Sequence, residues 1–472
     1  MITRRSFVGV LSALPFAKLL GFSGDHAAAN SLPSAVASSP ANSEDFTKYV
    51  KIAIGTGGHG HTYPGATVPF GMVQLSPDTY NDGWDWCSGY HHSDSSIMGF
   101  SHTHLSGTGA SDMLDFLLMP GTGPTKLFPG SRQNPGEGYR SRFSHEDEIA
   151  VPGYYSVILR DYNVRAELSA TEHAGIHRYT FPKSDSSHFI LDLVHSYSNT
   201  PIVWAYLKIV GNDTIVGGRS LKGWAPGREI YFAMHFSKPF KSAEIVEDDK
   251  RLDSFVREAK GTSLKCLLHF DTADKETILV KTGISGVSDE GAQKNVAAEI
   301  PEWDFEKVRS AAHMTWNQNL SRIKVEIGDR RHKTIFYTAL YHMLVAPTLF
   351  DDVDGQYRGM DGKVHQLPRG AHNYSTFSLW DTFRAAHPMY TICQPDRVPD
   401  FVNCLIRMAQ ESPGGVPIWP LQGRETFCMT GYHSSSVYAE AYVKGFKGID
   451  FNQVYPPLRK RAMEDDYRGL GY

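Results

Sequence analysis

The chain has 472 residues, enough for two or three domains, and 41% hydrophobic with 12% aromatic content suits large cores and excludes a disordered polymer. Its 47 basic and 51 acidic side chains leave a formal net charge of −4, so it carries no basic footprint for nucleic acid. The 23 Tyr, 8 Trp and 21 His stock it for stacking on and hydrogen bonding to polar ligands.

Residues 1–44 read as an export signal and linker. Arg4 and Arg5 precede an apolar stretch that is short for a membrane span and broken by Pro15 and Gly21, and an Ala/Ser tract follows. This is the pattern of a bacterial twin-arginine signal, with cleavage expected near Ala29 and a periplasmic destination. No membrane span is expected in the mature chain. Five cysteines (Cys87, Cys266, Cys393, Cys404 and Cys428) include no C-x-x-C pair, and the odd number leaves at least one free thiol. Cys393 and Cys404 could meet across helices, but buried thiols are the simpler expectation.

From residue 45 to about 290 the texture is β. Runs such as HRYTFP (177–182), HFILDLVHSY (188–197), EIYFAMHF (229–236) and ETILVKTGI (276–284) have strand length, β-branched and aromatic content, and turn-rich borders. They predict a β-sandwich of enlarged size. Residues 291–330 form a linker helix region, and helical spacing is clear from Trp303 to Ile323 and from His332 to Ala346. Further helices are expected near Ser378, Pro399, Ser434 and Asn452. Between them run loops rich in Gly, Pro, Trp and acidic residues. About six helices joined this way suggest part of an α-helical toroid over 331–472, with its site at the loop ends.

Three clusters carry candidate chemistry. In PIWPLQGRETFCMTGYH (417–433), Glu425 lies near Trp419, and desolvation by such neighbours raises a carboxyl toward general-acid use. Arg424 would oppose that if its charge lay close, and spacing alone leaves a plain surface glutamate open. In NYSTFSLWDTFRAAHP (373–388), Trp380, Asp381 and Arg384 fall within about one helical turn. They could hold a sugar ring by stacking and hydrogen bonds, or make an i,i+3 ion pair beside a core Trp.

The third cluster is N-terminal: His59, His61, His91, His92, His102 and His104 lie within 46 residues. On a strand, His102 and His104 would share a face, yet no zinc-ligand spacing accompanies them. GTGGHG lacks the Lys-Ser/Thr ending of a P-loop, and LSGTG is not a G-x-S-x-G elbow.

Six blocks together resemble glycoside hydrolase family 92, the bacterial exo-acting α-mannosidases. They are GTGGHGHTYPGATVPFGMVQLSPDT (55–79), CSGYHHSD (87–94), IMGFSHTHLSGTG (97–109), FYTALYHMLVAPTLFDDVDGQYRG (336–359), YSTFSLWDTFRAAHP (374–388) and GRETFCMTGYHSSSVYAEAYVKG (423–445). The resemblance implies a β-sandwich packed on an (α/α)6 toroid, here its first half, and calcium-dependent hydrolysis of terminal α-mannose from glycans with inversion. The linkage is expected to be α-1,2. Glu425 matches the family's general acid, and Trp380 and Asp381, with Arg384 alongside, match the terminal-sugar subsite. Trp86, His104 and His433 are further candidate sugar contacts.

An inverting enzyme also needs a second carboxylate roughly 6.5–9.5 Å away to activate water. That base, like most calcium ligands, is expected beyond residue 472, so the chain alone is expected to be inactive; Asp465 and Asp466 lie outside the family's base motif. A non-catalytic mannoside-binding fragment and another toroid glycosidase or phosphorylase are the alternatives.

Overall fold

A computed structural model describes residues 44–110 and 112–464. The expected export signal and the Asp465–Asp466 pair lie outside those residues.

The β region folds as two antiparallel sheets. One runs, in spatial order, Ser76–Asp78, Gly99–Ser101, Leu117–Gly121, Ser184–Asp192, Leu264–Thr272, Ser242–Glu247 and Lys250–Arg251. The other has nine strands, with Thr214–Leu221, Glu229–Phe236, Glu276–Ser285 and Ala174–Phe181 at its centre. Alternation drives the pairing: apolar side chains of both sheets point into one core, where Phe189 meets Phe236 at 5.5 Å and Phe116 meets Phe232 at 4.5 Å between ring centroids. This is the expected sandwich.

Helices follow from Asp289 onward, each started by the local chemistry of its first turn. Ser288 caps Asp289–Glu299 by accepting from the Gly291 N–H at 3.1 Å, Asp304 caps Phe305–Leu320, and Asp329 caps Arg330–Met343. The sequence reading places clear helical spacing only from Trp303. The helix Asp289–Glu299, at the start of the expected linker helix region, shows weaker spacing because its apolar stripe is narrow: Val296 and Ile300 press on Tyr154, Ala174 and Ile176, while Glu290, Lys294, Ala297 and Ala298 are exposed. Leu379–Thr382, Ala386–Cys393, Val398–Glu411, Ser434–Val443 and Tyr455–Met463 complete the described helices. None of the described helices is long and apolar enough to cross a membrane. All five cysteines are free thiols, so Cys393 and Cys404 are not joined; Cys404 instead contacts Asn373 Oδ1 at 3.2 Å.

Sandwich and helices are stitched by buried polar groups. Asp352, at the helical side, accepts from Ser285 Oγ at 2.6 Å and Asn295 Nδ2 at 2.9 Å, and burial pushes its carboxyl up to about 6. A folded-state value above the unfolded one favours folding at low pH, and that favour is lost as pH rises from about 4 to 6. Replacing Asp352 by Asn should therefore leave stability unchanged at pH 4 and raise it by up to about 3 kcal/mol above pH 7. Urea denaturation at the two pH values checks this.

Candidate active site

Glu425 sits on a two-residue-per-strand hairpin, Pro420–Leu421 paired with Arg424–Glu425. Gln422 and Gly423 make its turn with φ of 46° and 74°, the left-handed pair such a tight hairpin requires. A Cβ at residue 423 would lie 3.1 Å from the Arg358 carbonyl oxygen, a second reason for glycine there. The hairpin curls the carboxylate back onto its own backbone. Oε1 accepts from the Trp419 N–H at 2.8 Å and the Phe427 N–H at 3.0 Å, and Oε2 accepts from the Ile418 N–H at 2.8 Å. Oε2 is thus the less occupied oxygen and the one with room for a transferable proton.

Burial pushes the Glu425 carboxyl above its ordinary value, against the pull of these backbone N–H groups, which favour the ionised form. Arg424 does not intervene, because its Nε donates to the Gly227 carbonyl at 3.0 Å. Phe427 and Met429, just beyond, hold left-handed φ of 53° and 67°.

The segment bearing Trp380 and Asp381 is bound directly to this hairpin. The Thr376 N–H donates to the Pro420 carbonyl at 3.1 Å, and Ser375 Oγ accepts from the Gln422 N–H at 2.6 Å. The short helix Leu379–Thr382 then presents Trp380, half-buried, and Asp381, exposed. Asp381 Oδ2 accepts from Ser378 Oγ at 2.5 Å. The ion pair open to Asp381 and Arg384 is not made: Arg384 folds back, donates to the Trp380 carbonyl at 3.2 Å and lies 5.3 Å from the Trp380 ring centre. His433 packs on Phe383 at 4.5 Å, closing the loop after Glu425 onto the Trp380 segment. Both carboxylates, Asp381 and Glu425, act with burial to raise the thiol of Cys428, so the three groups share one neighbourhood. Glu425, Trp380, Asp381, Arg384 and His433 are brought together.

His104 lies buried within the sandwich. The strand ends at Ser101, so His102 and His104 do not share a face. His104 has no exposed side-chain surface; its Nδ1 meets the Gln74 carbonyl at 2.7 Å and its Nε2 meets Asp78 Oδ1 at 2.8 Å. Asp78 Oδ2 pairs in turn with His195 at 2.7 Å. Burial opposes the Asp78 charge, but the two imidazoles hold its carboxyl below the usual range. With both nitrogens committed, His104 is a core residue of the sandwich. His102 pairs instead with His177 at 3.1 Å, and burial lowers it to about 4. Trp86 donates from Nε1 to Asp94 Oδ2 at 2.7 Å and stacks under Arg132 at 4.4 Å.

The stretch around His104 reaches Glu425 through different residues. Leu105 and Met113 pack with Ala225, Trp419 and Leu421, with Trp224 and Cys428 at the edge. Asp112 accepts from Arg228 Nε and from the Ala225 N–H at 2.8 Å; residue 223 must be glycine, since a Cβ there would lie 2.5 Å from Asp112 Oδ2. Sequence reasoning missed Arg228, because its partners lie more than 100 positions away in both directions.

One group of metal-competent side chains occurs among the described residues, Glu172, His173 and Glu299, within 4.8 Å of one another. It is internally paired: His173 Nδ1 meets Glu299 Oε1 at 2.5 Å, and Arg397 reaches Glu172 at 3.5 Å. Burial disfavours the His173 charge, yet Glu299 raises it to about 9.

Residues 49–285 match the glycosyl hydrolase family 92 N-terminal domain and residues 291–472 match the glycosyl hydrolase family 92 catalytic domain. The chain belongs to glycosyl hydrolase family 92. A solved family 92 α-mannosidase from Bacteroides thetaiotaomicron shares 40% identity with a TM-score of 0.87, over 90% of this chain and 57% of its own. A family 92 inverting mannosidase from the same organism shares 27% identity with a TM-score of 0.80, over 91% of this chain and 57% of its own. An uncharacterized secreted glycosidase of Arthroderma benhamiae is 25% identical over 89% of this chain and 52% of its own length. The chain thus spans little more than half the length of the family 92 relatives it matches. The sandwich and the helical region of this family 92 chain correspond to the two matched domains, which meet between Ser285 and Asp289.

Proposed function

We propose that this chain is part of an exo-acting α-mannosidase that removes terminal α-mannose from glycans with inversion, with α-1,2 linkages as its preference and Glu425 as general acid. The observation that carries the reading is the Glu425 hairpin: a half-buried glutamate whose desolvation raises its proton affinity, held beside an exposed aspartate and a half-buried tryptophan. A Michaelis complex would place the leaving glycosidic oxygen at Glu425 Oε2, where a proton can pass as the bond breaks. Trp380 would support the ring face, and Asp381 and Arg384 would bind its hydroxyls, with His433 bracing the loop through Phe383. Trp86 stays a further sugar contact in this reading, and His104 supports the sandwich from its core.

The water-activating carboxylate is assigned outside the described residues, because Asp381 is given to the sugar subsite. Support also comes from the solved family 92 α-mannosidase captured with mannoimidazole, 40% identical to this chain. Calcium takes six to eight oxygen ligands. The described residues beside Glu425 do not fit that demand, since Asp381 is the carboxylate there and Ser378 already holds one of its oxygens. Export through the Arg4–Arg5 signal to the periplasm completes the reading.

The test uses the protein carrying this chain, aryl α-mannoside and aryl α-glucoside, with the first-formed sugar followed by proton NMR. Turnover confined to the mannoside, with β-mannose released first, is expected. Release of α-mannose, or equal turnover of the glucoside, would overturn the proposal.

A further inference from the structure

The hairpin that carries Glu425 is gripped from behind by the sandwich. The loop between the strands Thr214–Leu221 and Glu229–Phe236 crosses over to it. Trp224 packs edge-on against Trp419 at 4.5 Å, and the Gly227 carbonyl accepts from Arg424. At the end of the loop Arg228, fully buried, splits its guanidinium between two domains. On the sandwich side it donates to Asp112 and Asp115, with Nη1 2.9 Å from Asp115 Oδ2. On the helical side the same Nη1 donates to Gln422 Oε1 at 2.9 Å, in the turn of the acid hairpin.

We propose that Arg228 is a positioning residue for the acid: its bond to Gln422 locks the hairpin turn against the sandwich, fixing where Glu425 lies and keeping water from it. This rests on the reading of Glu425 as the acid. A planar five-donor fork suits the task, because it satisfies Asp112 and Asp115 and still has an N–H to spend on an amide oxygen. The bond matters to Glu425 through the backbone. Gln422 is three residues from Glu425, and the Trp419 N–H that holds Oε1 comes just before the other strand of the same hairpin. A turn that swings free loosens both.

Gln422 is the residue to change, since removing Arg228 would also remove a buried cation and leave Asp112 without its partner. Gln422→Asn keeps a side chain that tolerates the left-handed turn but is too short to reach Arg228. Gln422→Glu restores an acceptor and makes it charged. The charged and titratable groups around Glu425 are Arg424, held by Gly227, and Cys428 on its own segment, with Asp381 from the facing segment; neither substitution touches them.

Two readouts are taken on the protein carrying this chain. One is kcat and KM on an α-mannoside. The other is the midpoint of the pH-dependent tryptophan fluorescence that disappears in Glu425→Gln, reporting the Glu425 proton through adjacent Trp419. Gln422→Asn should lower kcat about tenfold or more with KM within about twofold, as expected when only transition-state alignment suffers. Its fluorescence midpoint should move down as water reaches the carboxylate. Gln422→Glu should recover most of kcat. An unmoved midpoint in Gln422→Asn overturns the proposal, as does a kcat equal to the parent's. A parent without turnover would defeat the mannosidase reading alone, because the fluorescence midpoints would still decide the role of Arg228.

Discussion

Glu425→Gln should lower kcat on an alkyl or disaccharide α-mannoside by about 10²- to 10⁴-fold, the usual span of general acid catalysis. The glutamine keeps the acceptor at Oε1 for the Trp419 and Phe427 amides but has no proton to give. KM should change little, since the sugar-facing groups Trp380, Asp381 and Arg384 are untouched. The pH profile carries the sign. Glu425 must be protonated to act, and burial raises its carboxyl, so parent activity should fall as pH rises through that raised value. In Glu425→Gln this alkaline limb should vanish. A variant that loses activity but keeps the limb would assign the proton donor to another group.

Arg228→Met should be the most destabilising single change in the sandwich, at about 3–5 kcal/mol, because it leaves charged groups buried without their partner. Arg219, Arg228, Asp112 and Asp115 all have side chains with no exposed surface. Burial alone would raise Asp115, but Arg228 and Arg219 hold its carboxyl far below the usual range. Without Arg228, Asp112 has no counter-charge and must take up a proton or stay ionised in a dry site. The loss should therefore deepen as pH rises from 4 to 8. Urea midpoints of parent and variant at these two pH values measure it. Truncating Asp112 along with the arginine should cost less than removing the arginine alone, since Asp112 is then not left without a partner and Asp115 keeps Arg219 at 2.7 Å.

Much of the fold is legible in the sequence because its signals are local. The β-branched and aromatic runs HFILDLVHSY and EIYFAMHF mark strands that lie near the middle of the two sheets, one in each. Glu425 and the Trp380–Asp381 pair are legible because each cluster is contiguous, and the family resemblance joins them. What periodicity cannot carry is pairing at a distance. The partner of His104 is Asp78, 26 residues away, and this turns an apparent ligand into a core residue. The partners of Arg228 are 113 and 194 positions removed.

The central claim is that Glu425 donates a proton to the departing oxygen. Leaving groups test it most directly, because a dinitrophenolate departs without help whereas an alkoxide does not. Activities of parent and Glu425→Gln are compared on 2,4-dinitrophenyl α-mannoside and on an α-linked mannobiose. The account predicts a variant within about tenfold of the parent on the dinitrophenyl substrate and at least about 10²-fold slower on the disaccharide. An equal loss on both would contradict it.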